Sequence, residues 1–194
     1  MTYRDENNSL ETTIRNLIKL IGDDPDREGL IETPRRILKS YNELFAGYSY
    51  TDEDIKSLFI KTFKETENYN EMIICRDIPF FSMCEHHLLP FSGVCHIGYI
   101  PKEKTIGLSK LPRLVDIFSK RLQLQERLTM QIAGTIMTHL TPQGVGVIIK
   151  AEHLCVSCRG VRKTGSSMVT SAMMGCFDSY PNTKSEFVKL IGNI

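Results

Sequence analysis

A domain of the α+β class, with helices laid on an antiparallel sheet, follows from three features of the chain. Helical apolar periodicity fills the first part, two short runs rich in β-branched and aromatic residues occupy the middle, and a pair of helices then leads into further strands. At 194 residues the chain has the size of one ordinary domain and can bury a real core. It is read as one folding unit, with a helical N-terminal arm over 1–70 and a sheet-bearing domain over 71–194.

Each element has a local reason. Ile14, Leu17, Ile18 and Ile21 recur at the spacing of an amphipathic helix, which the run GDDPDREG then breaks. A second helix opens in ETPRRILKSYNELF, with Thr33 as N-cap and Pro34 in the first turn. Its buried face is Ile37, Tyr41, Leu44 and Phe45, and Gly47 ends it. Arg35, Arg36 and Lys39 lie off that stripe. TDEDIKSLF reads as a short helix with an acidic start.

EMIICRDIPFF and GVCHIGYIP read as strands, which makes CEHHLLPFSG the connection between them. Leu111, Leu114, Val115 and Phe118 mark one helix; Leu128, Ile132, Ile136 and Leu140 mark the next, closed by TPQG. VGVIIKAEHLCV alternates as a strand, so His153 and Cys155 share a face if the strand reaches that far. SSMVTSAMMG is a further strand and SEFVKLI a terminal helix.

Composition limits the partners. Lys and Arg number 24 against 23 Asp and Glu, a net charge of +1, so no whole-chain attraction draws the protein to nucleic acid or to an acidic membrane. An anionic ligand must be met by a local cluster. The six cysteines are even in number, but MTYRDENNSLE has no apolar signal core and no run reaches the length of a membrane span. The expectation is a cytoplasmic chain with reduced thiols.

The chemistry concentrates in SMCEHHLLPF, residues 82–91. Cys84 and His87 have the short spacing of two ligands to one metal, and further ligands must come from Cys155 and Cys158 in CVSC. With both late cysteines the site is a closed structural zinc; with one, a coordination position stays open. Spacing alone favours the closed set. His86 and His153, left over beside such a metal, favour the open one, since an imidazole that titrates near neutrality is a natural proton carrier. His96 and His139 read as structural, and Cys75, Cys95 and Cys176 as small buried hydrophobes.

Three segments, SMCEHHLLPF, IGLSKLPRLVDIFSKRLQLQERLT and AEHLCVSCRGVRK, together resemble the GTP cyclohydrolase I family, over roughly Glu32 to the C-terminus. The resemblance implies the tunnelling fold, an antiparallel sheet with two helices on one face, and makes 71–194 the catalytic domain. It implies one Zn2+ per subunit on Cys84, His87 and Cys155, with Cys158 outside the set. His86 and His153 would carry protons while zinc-activated water attacks C8 of the guanine in GTP. Formate leaves, and rearrangement and reclosure give 7,8-dihydroneopterin triphosphate, the first step of tetrahydrofolate and pterin biosynthesis.

Glu126, with Gln125 beside it, resembles the guanine reader, because a carboxylate accepts two donors from the N1 and N2 edge. Ser109, Lys110, Arg113 and Arg159, with Arg36 and Lys39 on the early helix, would meet the triphosphate. A homodecamer with active sites between subunits is implied too, with no nucleic-acid or membrane partner. Two alternatives stand beside this reading. A nitrile reductase of the same fold uses a cysteine nucleophile and no zinc, and a zinc-stapled binding module would need Cys158 as a fourth ligand and a basic surface.

Overall fold

The computed structural model describes residues 3–63 and 69–192, with side chains from residue 9 onward. The chain divides into two compact units, Met1–Ala46 and Gly47–Ile194.

The first unit packs α1 (Tyr3–Ile21) with α2 (Thr33–Leu44). Both helices lie where the periodicity puts them, but their apolar stripes are only partly covered. Ile18 is buried, whereas Leu17 and Ile21 are exposed, as are Tyr41 and Leu44. Two helices bury the seam between them and no more. Thr33 is not the cap: Glu32 holds that position without a side-chain capping bond, Thr33 is already helical, and Pro34 sits in the first turn as expected.

The second unit carries, in chain order, α3 (Asp52–Ser57), β1 (Thr62–Phe63), β2 (Ile73–Cys84), β3 (Leu89–Ile100), β4 (Thr105–Ile106), α4 (Lys110–Ser119), β5 (Leu122–Gln123), α5 (Gln125–Leu140), β6 (Gly144–His153), α6 (Leu154–Ser157), β7 (Met168–Gly175), α7 (Cys176–Ser179) and α8 (Pro181–Ile191). Thr51 and Asp54 close a reciprocal capping box on α3. Gly47 does not end α2 as expected. Its N–H donates to Lys120 O at 3.0 Å, and a Cβ there would lie 2.3 Å from Ile117 O. A close backbone approach, not a helix stop, requires glycine at this point.

Among the described residues the main sheet runs β5-β2-β3-β6-β7, antiparallel except where β5 joins the end of β2 in parallel. Helices α4 and α5 cover one face. Leu111, Leu114, Val115 and Phe118 of α4 and Leu128, Ile132, Ile136 and Leu140 of α5 are all buried, against Phe91, Ile97, Val147 and Ile149 of the sheet. This is the α+β arrangement of the expectation, with two helices on one face. The opposite face holds a smaller cluster in which Phe177 and Phe187 lie over Gly98 and Gly146. Those two glycines pair directly across β3 and β6, and a Cβ on Gly146 would come within 2.6 Å of the Phe177 ring.

Two strand ends differ from the sequence reading, and both matter for the site. The connection expected over CEHHLLPFSG shrinks to residues 85–88, because β2 runs to Cys84 and β3 starts at Leu89. Pro90 is tolerated because β6 ends opposite Phe91, which leaves that side of β3 without a partner. Strand β6 stops at His153, so Cys155 is brought round by the helical turn of α6 and not by strand alternation. The terminal helix opens at Pro181, earlier than the apolar spacing suggests. No helix among the described residues is long and apolar enough to cross a membrane.

Candidate metal centre and proton carriers

The tight turn at 85–88 sets the first two ligands. Cys84 ends β2 and is buried, and its carbonyl accepts from His87 N at 3.3 Å and Leu88 N at 2.9 Å. Leu88 takes the left-handed backbone conformation at φ 51°, which costs a branched side chain on the order of 1 kcal/mol. The surroundings hold it there. Glu85 N donates to Gln123 O at 3.1 Å, and the Arg127 guanidinium grips the Glu85 carboxylate with two hydrogen bonds. That pairing keeps the Glu85 carboxyl below its ordinary range.

Onto this turn the helical segment α6 delivers Cys155. The ligand atoms of Cys84, His87 and Cys155 all lie within 4.8 Å of one another, and Cys84 Sγ is 3.8 Å from His87 Nδ1. Ligands on a tetrahedral zinc, with bonds of about 2.0–2.3 Å, stand about 3.5–3.8 Å apart, so two thiols and an imidazole at this spacing fit the ion. Burial, and then the Cys84 thiol, push the Cys155 thiol up. A bound cation would reverse that by favouring both thiolates. Cys158, at the C-cap of α6, is exposed and is not part of the cluster.

His153, two residues before Cys155, lies flat on Phe91, with ring centroids 4.5 Å apart and planes 2° from parallel. Its Nε2 meets Gln125 Oε1 at 2.8 Å. Burial lowers its pKa, and the nearby charge of Glu126 acts in the opposite sense. Gln125 opens α5 and is only 1% exposed, with its amide nitrogen bonded to Ile149 O, Met168 O and Thr170 Oγ1. These three acceptors engage both hydrogens of the amide nitrogen. Glu126, the next residue, is exposed. His86 is exposed in the turn, its ring 6.1 Å from that of His87.

The cationic residues of the sequence reading fall in three places. Ser109, Lys110 and Arg113 gather at the start of α4, where the Ser109 hydroxyl makes no capping bond. Among the described residues none of the three is hydrogen-bonded or ion-paired to the cysteine and histidine cluster. Arg159 follows α6, and its charge is felt at Cys155. Arg36 and Lys39 are exposed on α2 in the first unit, with Arg36 bonded to Glu32 at 2.9 Å. Sequence reasoning missed Glu85, Arg127, Phe91 and Thr170. Glu85 and Arg127 stand inside the CEHH and QERL segments, but no local rule pairs positions 42 apart.

Comparison with known proteins bears on this arrangement. Residues 10–192 match the family described as GTP cyclohydrolase I. The chain is 51% identical over 182 residues to GTP cyclohydrolase 1 of Leptospira biflexa, covering 94% of this chain and 97% of that one. It is 49% identical to GTP cyclohydrolase 1 of Thermoanaerobacter pseudethanolicus, covering 95% and 96%. With GTP cyclohydrolase 1 of Neurospora crassa the identity is 50%, over 94% of this chain and 57% of that longer one. Among solved structures, an archaeosine synthase QueF-like protein in the apo form aligns with a TM-score of 0.45 and 18% identity, over 54% of this chain and 93% of that one.

Proposed function

This chain belongs to the GTP cyclohydrolase I family and is an enzyme of that type, and we propose that it opens the guanine imidazole ring of GTP at C8, releases formate and recloses the product to 7,8-dihydroneopterin triphosphate. The observation that carries the chemistry is the convergence of Cys84, His87 and Cys155 beside a hydrogen-bonded His153.

Cys84, His87 and Cys155 would hold one zinc ion per subunit. When bound, it supplies Lewis acidity and an activated water at neutral pH. With Cys158 outside the set, these three residues would leave a coordination position open on the ion. His153, held flat by Phe91 and fixed at one nitrogen by Gln125, takes up and returns protons as the ring opens. His86, exposed in the turn, is the second proton carrier. The Glu126 carboxylate accepts two N–H bonds from the guanine edge, a pattern that adenine cannot offer.

Lys110, Arg113 and Arg159, with the Ser109 hydroxyl and with Arg36 and Lys39, supply the local positive charge that a triphosphate needs on a nearly neutral protein. The family resemblance implies a homodecamer in which such sites are completed between subunits. All six cysteines are unpaired, in keeping with a reducing, cytoplasmic setting.

The test is direct. Zinc-loaded protein incubated with GTP should release formate and yield a pterin that fluoresces after oxidation. Tight zinc binding with no turnover would overturn the reading in favour of a zinc-stapled module.

A further inference from the structure

We propose that Gln125 is the positioning residue that fixes the tautomer of His153, keeping a proton on Nε2 so that His153 exchanges protons through Nδ1 alone. The proposal rests on the functional reading above for the role of His153, but its geometry does not.

The direction of every hydrogen bond around Gln125 can be worked out from groups that accept and cannot donate. Its amide nitrogen lies 3.0 Å from Ile149 O and 3.0 Å from Met168 O, two backbone carbonyls that take donors only. A third constraint comes round a closed ring. The Thr129 hydroxyl donates its one hydrogen to Gln125 O at 2.7 Å, so Thr129 Oγ1 must accept from Thr170 Oγ1, also at 2.7 Å. Thr170 has then used its hydrogen and is left as an acceptor 3.1 Å from the Gln125 amide nitrogen, whose two hydrogens are shared among the three acceptors.

Three acceptors therefore require the nitrogen of the amide on that side, and its oxygen faces His153. Because Gln125 Oε1 cannot donate, the 2.8 Å contact is His153 Nε2–H donating to it. In the neutral ring the lone pair is then on Nδ1, which has no hydrogen-bond partner among the described residues. Uptake of a substrate proton at Nδ1 gives the imidazolium with the Nε2–H bond intact, and return of that proton from Nδ1 restores the neutral ring. Stacking on Phe91 holds the ring against rotation about Cβ–Cγ, which would carry Nε2 away from Gln125 Oε1. Gln125 thus works from behind the proton carrier, at 1% exposure.

Histidine labelled with 15N in the zinc-loaded protein, read by solid-state NMR so that assembly size does not matter, reports the tautomer directly. With His153 assigned by difference from His153→Asn, the neutral ring should show a pyrrole-type Nε2 and a pyridine-type Nδ1. Gln125→Leu should turn this into a tautomer mixture and lower kcat about 10–100-fold, with KM for GTP changed less than about threefold. A wild-type spectrum with the proton on Nδ1 would overturn the proposal, whether or not the variant folds. So would a variant with raised KM and normal kcat, the signature of a lost guanine contact. Absence of formate release by the wild type would instead overturn the functional reading and leave the spectrum to judge the tautomer.

Discussion

His96 and His153 stand on neighbouring strands of one sheet, both drawn out of water and both with pKa values lowered first by burial. Their titration does not tell them apart; their hydrogen bonds do. At His96, Nδ1 accepts from Asp77 N at 3.2 Å, where β2 bulges and Asp77 takes φ 58°, with the Asp77 carboxylate 3.9 Å away. The lone pair of that ring is engaged by backbone. At His153 the engaged group is the N–H, and the lone pair is left for chemistry. A buried histidine is thus classed as structural or reactive by which nitrogen the fold engages.

The largest effect should come from the candidate metal site, which lies beside only one of the two. Cys155→Ser removes one of three converging ligands, and zinc affinity, measured by chelator competition, should fall at least about a hundredfold with loss of turnover. Cys158→Ser should leave both within about twofold, since that thiol lies outside the cluster. The two histidines should separate next. His153→Asn should lower kcat by about 10²–10⁴ with zinc retained, whereas His96→Asn should leave kcat per folded molecule unchanged.

His96→Asn should act on stability instead, costing about 1–2 kcal/mol through the bulge contact. The sign of its pH dependence follows from the lowered pKa. In the acid range the unfolded chain binds more protons at this site, so its contribution is whole above the ordinary value of 6.5 and is lost as pH falls below it. Urea unfolding of zinc-loaded protein at several pH values should show a slope that flattens in the variant; an unchanged slope would mean that His96 does not set it. The smallest effect is at the turn. Arg127→Gln frees the Glu85 carboxylate, whose depressed pKa makes the clamp fully present at neutral pH and lost in acid. Zinc affinity should drop only a few-fold, about 2–5, because the ligands themselves remain.

The sequence carried the helices over the sheet and the local half of the metal site. Leu111 to Phe118 and Leu128 to Leu140 repeat with the helical period and are buried to the last residue named. Cys84 and His87 are legible because both belong to one turn. The ends of β2 and β3 were not, since CEHHLLPF has the composition of a loop, and only pairing across the ladder extends the strands through it. Spacing also set Cys158 level with Cys155. The turn of α6 separates them, directing one thiol to the cluster and leaving the other exposed. The contact from Gln125 to His153 and the grip of Arg127 on Glu85 span 28 and 42 positions, distances over which side chains meet only through the tertiary fold.

The coordination shell of the bound zinc, measured by X-ray absorption on the resting enzyme without GTP, tests the account at its centre. Two sulfurs at about 2.3 Å, one imidazole nitrogen and one light solvent atom are the predicted set. Three sulfurs would put Cys158 on the metal, close the position at which GTP chemistry must begin, and contradict the account.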